Sequence, residues 1–244
     1  MYLPKKRCFL AVIHHQSLAQ ARKNVIIAME NGADGVFLIP HGQTTDNSNV
    51  CVVAKQIKAE FPNFWIGLNI LEAAKHNFIA FNSANEGKLD GVWTNNMGIL
   101  WQPHNGIISY RQMISTTKHR RCNNYTSKYF GGFQFKDQDQ LPDDKLPEAV
   151  ARSIRHTEVL TTSGDKTGEP PTVAKIRNLR NIVNQVHRGR KIFPIGIASG
   201  INHVNVIPLL EFAQYFLVAS SISTDEYNLD PFKVERLADA IKKG

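Results

Sequence analysis

The chain is poor in cysteine, with only Cys8, Cys51 and Cys122, an odd number at long and unpatterned spacings. That count and spacing argue against a disulfide framework and against a zinc site, and make a reducing compartment the expectation. Long apolar runs are missing as well. Lys5, Lys6 and Arg7 precede an apolar stretch, but His14 and His15 interrupt it, which leaves it too short for the core of a signal peptide. No segment has the apolar length that crosses a bilayer, so the expectation is a cytoplasmic protein with no membrane span. Nor is there a Gly-x-Gly-x-x-Gly turn after the first apolar run, where Val12-Ile13-His14-His15 contains no glycine. This counts against a doubly wound dinucleotide-binding sheet. Acidic residues are scarce, 21 Asp and Glu against 29 Lys and Arg, for a net charge of +8. Such a surplus favours anionic partners: phosphorylated metabolites, nucleic acid or an acidic surface.

What is present is ordinary globular material. With 244 residues and 42% hydrophobic content, the chain can bury a sizeable core. Short β-rich runs at 9–13, 35–39, 64–69, 91–94, 129–135, 158–162, 193–197 and 215–218 alternate with helical stretches at 18–30, 50–60, 70–80, 145–154, 173–186, 204–212 and 232–242. Eight runs at about 30 residues per unit match a (β/α)8 barrel. The fold class is therefore α/β, a single TIM-barrel domain over 1–244, with a doubly wound open sheet second. Pro147 and the pair Asp230-Pro231 mark helix starts. The fourth unit, 95–128, breaks the pattern and reads as a long loop with a short helix near 110–116.

The C-terminal third carries the chemistry. Thr161-Thr162-Ser163-Gly164-Asp165-Lys166-Thr167-Gly168-Glu169-Pro170-Pro171 follows a strand and opens a helix, which places it at the C-terminal mouth of a barrel. The seventh and eighth strands run into Ala198-Ser199-Gly200 and Ala219-Ser220-Ser221. Small residues there let a backbone approach an anion closely, and the loops after these two strands often form a phosphate site.

Thr162-Ser163-Gly164, Thr167-Gly168-Glu169-Pro170-Pro171, Ser199-Gly200 and Ser220 resemble the successive signatures of the BtpA family. Gly32-Ala33-Asp34-Gly35, Gly67-Leu68-Asn69-Ile70-Leu71 and Asp90-Gly91-Val92 fit the same family in the same order. The resemblance implies a barrel of the ribulose-phosphate-binding type. It does not imply one reaction, since members carry labels ranging from phosphoribosyltransferase to photosystem I biogenesis protein. Ala198 and Ala219 stand where the family has glycine, and Pro40-His41-Gly42 departs from it at the end of strand two.

These observations point to an enzyme that binds a phosphorylated sugar or nucleotide, with phosphoribosyl or nucleoside chemistry as its most specific form. Ser199, Gly200, Ser220 and Ser221 are the candidate phosphate site; Asn69, Lys136, Thr167 and Gly168 the candidate substrate site. Gln134 and Lys136 share a strand face by the two-residue period. His14 and Asp165 are the candidate catalytic residues, His14 because only one of two neighbouring strand histidines can face inward. No cofactor and no metal is expected; His14 with His41 lacks a local ligand spacing. Association into a homo-oligomer is expected of such barrels. The alternative is a non-catalytic assembly scaffold. RNA binding through Lys175, Arg177, Arg180, Arg188, Arg190 and Lys191, in a stretch 170–210 without acid, is a minor third reading, because no aromatic residues interleave them.

Overall fold

The computed structural model describes residues 7–41, 47–71, 73–166, 168–187 and 191–244. Eight parallel strands close into a barrel in the order β1 (Cys8–His15), β10 (Tyr215–Val218), β9 (Ile195–Ala198), β8 (Val159–Ser163), β7 (Lys128–Gly132), β4 (Gly91–Thr94), β3 (Trp65–Leu68) and β2 (Gly35–Pro40). A small antiparallel pair, β5 (Leu100–Gln102) and β6 (Ile107–Ser109), rises from the connection after β4. The outer layer comprises α1 (Leu18–Glu30), α2 (Asn47–Glu60), α3 (Asn77–Glu86), α4 (Arg111–Cys122), α5 (Leu146–Ser153), α6 (Val173–Val186) and α7 (Pro231–Lys243). The helix starts follow their capping residues: the side chains of Ser17, Thr172 and Asp230 accept the amides of Gln20, Lys175 and Lys233.

Strand alternation divides the core in two. Phe9, Ala11 and Ile13 face the helices, whereas Cys8, Leu10 and Val12 face the lumen. The lumen is filled by aromatic rings from neighbouring strands. Phe37 meets Trp65 at 5.1 Å, Phe130 at 5.2 Å and Trp93 at 5.7 Å between centroids, all edge-on. Trp65 has room only because Gly35, Gly67 and Gly91 surround it, where an added Cβ would lie 2.5–2.9 Å from its atoms.

The N-terminal rim repeats one polar clamp under alternate strands. Lys58 of α2 donates to Phe64 O (3.0 Å), just ahead of β3, and to Asp90 Oδ2 (2.7 Å), just ahead of β4; Asp90 Oδ2 also accepts Ile66 N of β3 at 2.8 Å. Arg120 of α4 donates likewise to Ser127 O (3.2 Å) and Glu158 Oε2 (2.9 Å), and Glu158 accepts Tyr129 N of β7 at 2.7 Å. Arg180 of α6 donates to Phe193 O (2.8 Å) and Gln214 Oε1 (2.6 Å), and Gln214 accepts Ile195 N of β9 at 3.1 Å. Around the seam, Asp34 accepts Phe9 N at 2.9 Å and Lys242 of α7 donates to Gly32 O at 2.6 Å. Each clamp satisfies strand-foot groups that end the ladder, a role in stability rather than catalysis.

Three elements differ from the sequence expectation. The helix anticipated at 70–80 begins at Asn77, after Leu71 turns to φ 49° and a short 3₁₀ turn, Ala74–His76. In the region 95–128 the expected loop holds the β5–β6 pair, and the short helix expected near 110–116 is longer, α4 running to Cys122. The helix expected at 204–212 is reduced to a 3₁₀ turn, Ile207–Leu209: the Asn202 side chain takes the amides of Val204 and Asn205, and Pro208 has no N–H for a helical ladder.

Candidate functional site at the barrel mouth

His14 continues the inward row of β1 above Val12, and His15 turns outward, where Nε2 reaches Asn49 Oδ1 at 3.4 Å. The His14 ring stacks on His41, 3.9 Å between centroids and 9° from parallel. His14 Nδ1 lies 3.0 Å from Glu226 O. A carbonyl can only accept, so Nδ1 carries the hydrogen and Nε2 keeps its lone pair in the neutral ring. Burial first, and then the His41 ring, lower the His14 pKa below 6.5. At neutral pH it is therefore an uncharged base. The Glu226 carboxylate meets His41 Nε2 at 2.5 Å, so one residue of the loop after β10 holds both imidazoles.

That coupling has a measurable consequence. The His14 ring is expected to titrate below 6.5 by NMR, and His41→Ala should raise its midpoint by removing a neighbouring positive charge. An unchanged midpoint would show that His41 exerts no field on it.

Asn69 sits at the end of β3, with Oδ1 accepting Leu71 N (2.8 Å) and Nδ2 donating to Asn95 Oδ1 (3.0 Å). Gln138 Nε2 in turn donates to Asn95 O at 2.7 Å. A depression of about 460 Å³ opens beside Asn95, lined also by Leu71, Lys75 and Asp137. Asn95 and Gln138 escaped the sequence reading, although the inward alternation from Trp93 points to Asn95.

Gln134 and Lys136 do not share a strand face. The strand β7 ends at Gly132, and Gln134 adopts φ 55°, which breaks the two-residue period. Phe135 turns into the lumen, Gln134 is buried outside it, and Lys136 is exposed, its amide donating to Ser163 Oγ at 3.1 Å.

The segment after β8 folds onto the loop after β9. Ser199 Oγ donates to the carbonyls of Glu169 (3.2 Å) and Lys166 (3.3 Å). An added Cβ on Gly200 would lie 2.1 Å from Pro170 N, so only glycine fits against Glu169-Pro170. Ser199 and Gly200 are consecutive residues of left-handed φ, 82° and 64°. Beside them Ser221 Oγ donates to Ile201 O at 2.5 Å, tying the 3₁₀ turn Ser220–Ile222 to the same loop. Among the described residues no backbone carbonyl accepts from the amides of Gly200, Ser220 or Ser221. Gly168 (φ 80°) is exposed with open space around it, and Thr167 lies outside the described residues. Asp165 is 79% exposed at its side chain and pairs with Lys175 of α6 at 3.2 Å; no contact joins it to His14.

The basic stretch is not one solvated face. Arg180 is buried in its clamp, where desolvation lowers its pKa to about 10, and it presents no surface to nucleic acid. Arg177 lies over the Phe212 ring at 5.4 Å, and Arg188 and Arg190 fall outside the described residues. Among the described residues no group of three or more His, Cys, Asp or Glu could hold a metal ion, and no helix is long and apolar enough to cross a membrane.

Fold and topology define the class: a closed (β/α)8 barrel. Its likeness to solved structures is broad. Phosphoribosyl anthranilate isomerase from Thermus thermophilus superposes with a TM-score of 0.61 at 13% identity over 97% of this chain and 98% of that one. A structure described as native KDPGal gives 0.64 at 12% over 100% and 96%, and KGPDC from Streptococcus mutans gives 0.62 at 11% over 97% and 98%. The family model described as BtpA family matches residues 10–243, and the chain belongs to the BtpA family. No protein of curated function matches it.

Proposed function

We propose that this barrel is an enzyme that binds a phosphorylated sugar or nucleotide at its C-terminal mouth, with phosphoribosyl or nucleoside chemistry as the reaction class, and that the whole chain acts as one domain. The observation that carries the reading is the pair of loops after β9 and β10. The amides of Gly200, Ser220 and Ser221, unclaimed by backbone carbonyls among the described residues, gather there, next to two consecutive left-handed residues, a setting that suits an oxyanion. The names of similar barrels support it, phosphoribosyl anthranilate isomerase among them.

In this reading the phosphate rests on the β9 and β10 loops and the sugar extends toward Asn69 and Asn95. His14 Nε2 takes a proton from the substrate, and Glu226 stabilises the charge this creates on the stacked imidazole pair. Asp165 and Lys136 contribute charge at the rim. A non-catalytic scaffold is the second reading, favoured by the methyl groups of Ala198 and Ala219 beside the same loops; it predicts that His14→Ala changes nothing.

Ribose 5-phosphate or 5-phosphoribosyl pyrophosphate should raise the melting temperature. At a hundredfold excess over Kd the gain is about 2.7 kcal/mol, or roughly 5–10 °C for a chain of this size. Ser199→Glu, which sets a carboxylate beside the phosphate, should abolish the shift. Absence of a shift with every phosphosugar and nucleotide tried would reject the proposal.

A further inference from the structure

A cavity of about 510 Å³ lies between α5 and α6 and the connections that follow β7 and β8, sharing Asp165 with the rim of the mouth. One wall is apolar, built from Leu141, Leu146 and Leu179. The opposite wall is polar and centres on Gln134, whose left-handed backbone (φ 55°) swings the side chain out of the sheet alternation. Gln134 is 9% exposed, and its Oε1 accepts Leu141 N at 3.3 Å. Its Nε2 is buried, and no acceptor among the described residues meets it. A buried amide donor left without an acceptor is destabilising, and a ligand oxygen placed there removes that cost.

The charges beside Gln134 narrow the ligand class. The three protons of Lys175 Nζ go to Ser163 O (3.0 Å), Asp165 Oδ1 (3.2 Å) and Gln134 O (3.4 Å). Only the Asp165 carboxylate, 79% exposed, is free to exchange. Asp143 also lines the cavity, so its ionised rim carries one cation against two anions. A dianionic phosphate is disfavoured by that balance. A ligand with its own carboxylate and ammonium satisfies it: the carboxylate replaces Asp165 on Lys175 and accepts from Gln134 Nε2, and the ammonium lies between Asp165 and Asp143. We propose that this cavity binds a zwitterionic α-amino acid with a large apolar side chain, which packs against Leu141, Leu146 and Leu179.

The test is calorimetry and thermal shift with L-leucine and L-phenylalanine, with glycine, 3-phenylpropionate and phenethylamine as probes lacking the side chain, the ammonium or the carboxylate. One or both apolar amino acids should bind saturably, and each truncated probe at least tenfold more weakly. Ala174→Trp closes the cavity from an exposed position on α6. It should leave the unliganded melting temperature nearly unchanged and abolish the amino-acid effect. Ser199→Glu at the mouth should leave that effect intact, which separates this site from the phosphate loops. Failure of both amino acids to bind the unaltered protein, equal binding of 3-phenylpropionate, or a shift that survives Ala174→Trp would overturn the proposal.

Discussion

Asp90→Ala is expected to lower stability by about 3–5 kcal/mol, seen as a drop in the urea midpoint at unchanged slope. Against the 5–15 kcal/mol typical of a folded domain, that is a large share of the total stability. The size follows from geometry. The Lys58 and Asp90 side chains are 10% and 4% exposed, and the carboxylate also accepts Ile66 N at 2.8 Å. Its removal strands a buried ammonium and a buried amide together. Asp90→Asn should fall between, because it keeps an acceptor for Ile66 N while losing the ion pair. Lys58→Met combined with Asp90→Leu should recover part of the loss, since a pair removed together leaves no buried charge. A cost below about 1 kcal/mol for Asp90→Ala would mean that the rim clamp does not support the barrel.

Gly132→Ala is the second large effect. A Cβ at Gly132 would lie 1.9 Å from Asn95 O, 2.3 Å from its carbonyl carbon and 2.5 Å from Thr94 O. These are backbone atoms, so no rotamer change relieves the clash. The ends of β4 and β7 must part, and the bond from Met97 N to Gly132 O (3.0 Å) is lost with them. The expected cost is about 3 kcal/mol, the upper range for overpacking. Because Asn95 carries the bonds to Asn69 and Gln138, the thermal shift from phosphosugars should also shrink in whatever protein remains folded. Gly168→Ala is the control: its φ of 80° disfavours alanine, but nothing lies near the added methyl, and the cost should stay near 1 kcal/mol. Equal losses at the two glycines would refute the steric argument.

Much of the barrel was legible because hydrophobic alternation and helical periodicity report burial directly. The eight runs correspond to the eight barrel strands; parity admits only one of His14 and His15 to the lumen, and the choice of His14 rests on its closing the apolar run and on the family resemblance. Legibility failed where one residue overrode the period. Leu71 and Gln134, both at positive φ, displaced a helix start and a strand end, and no pattern of apolar residues announces such a turn. The clamps were hidden for another reason. Lys58, Arg120 and Arg180 are ordinary surface-type residues in one dimension, and only the crossover of the chain brings each beside an acceptor more than thirty residues away. Glu226 was likewise invisible, since its partners His14 and His41 lie at the far end of the sequence.

The spacing of the clamps has a consequence for how the chain could be re-cut. Each joins a helix to the two barrel strands that follow it, so the repeating piece begins at a helix and spans two strands, a quarter of the barrel. By that rule α7, β1 and β2 form the last quarter, although α7 and β1 stand at opposite ends of the sequence. A circular permutant that fuses those ends and opens the connection after Thr94, within 95–110, would leave all four quarters covalently whole. Opening the chain inside a quarter, between β7 and β8 for example, would sever Arg120 and Tyr129 from Glu158. Tolerance to re-cutting should therefore alternate around the ring, quarter by quarter.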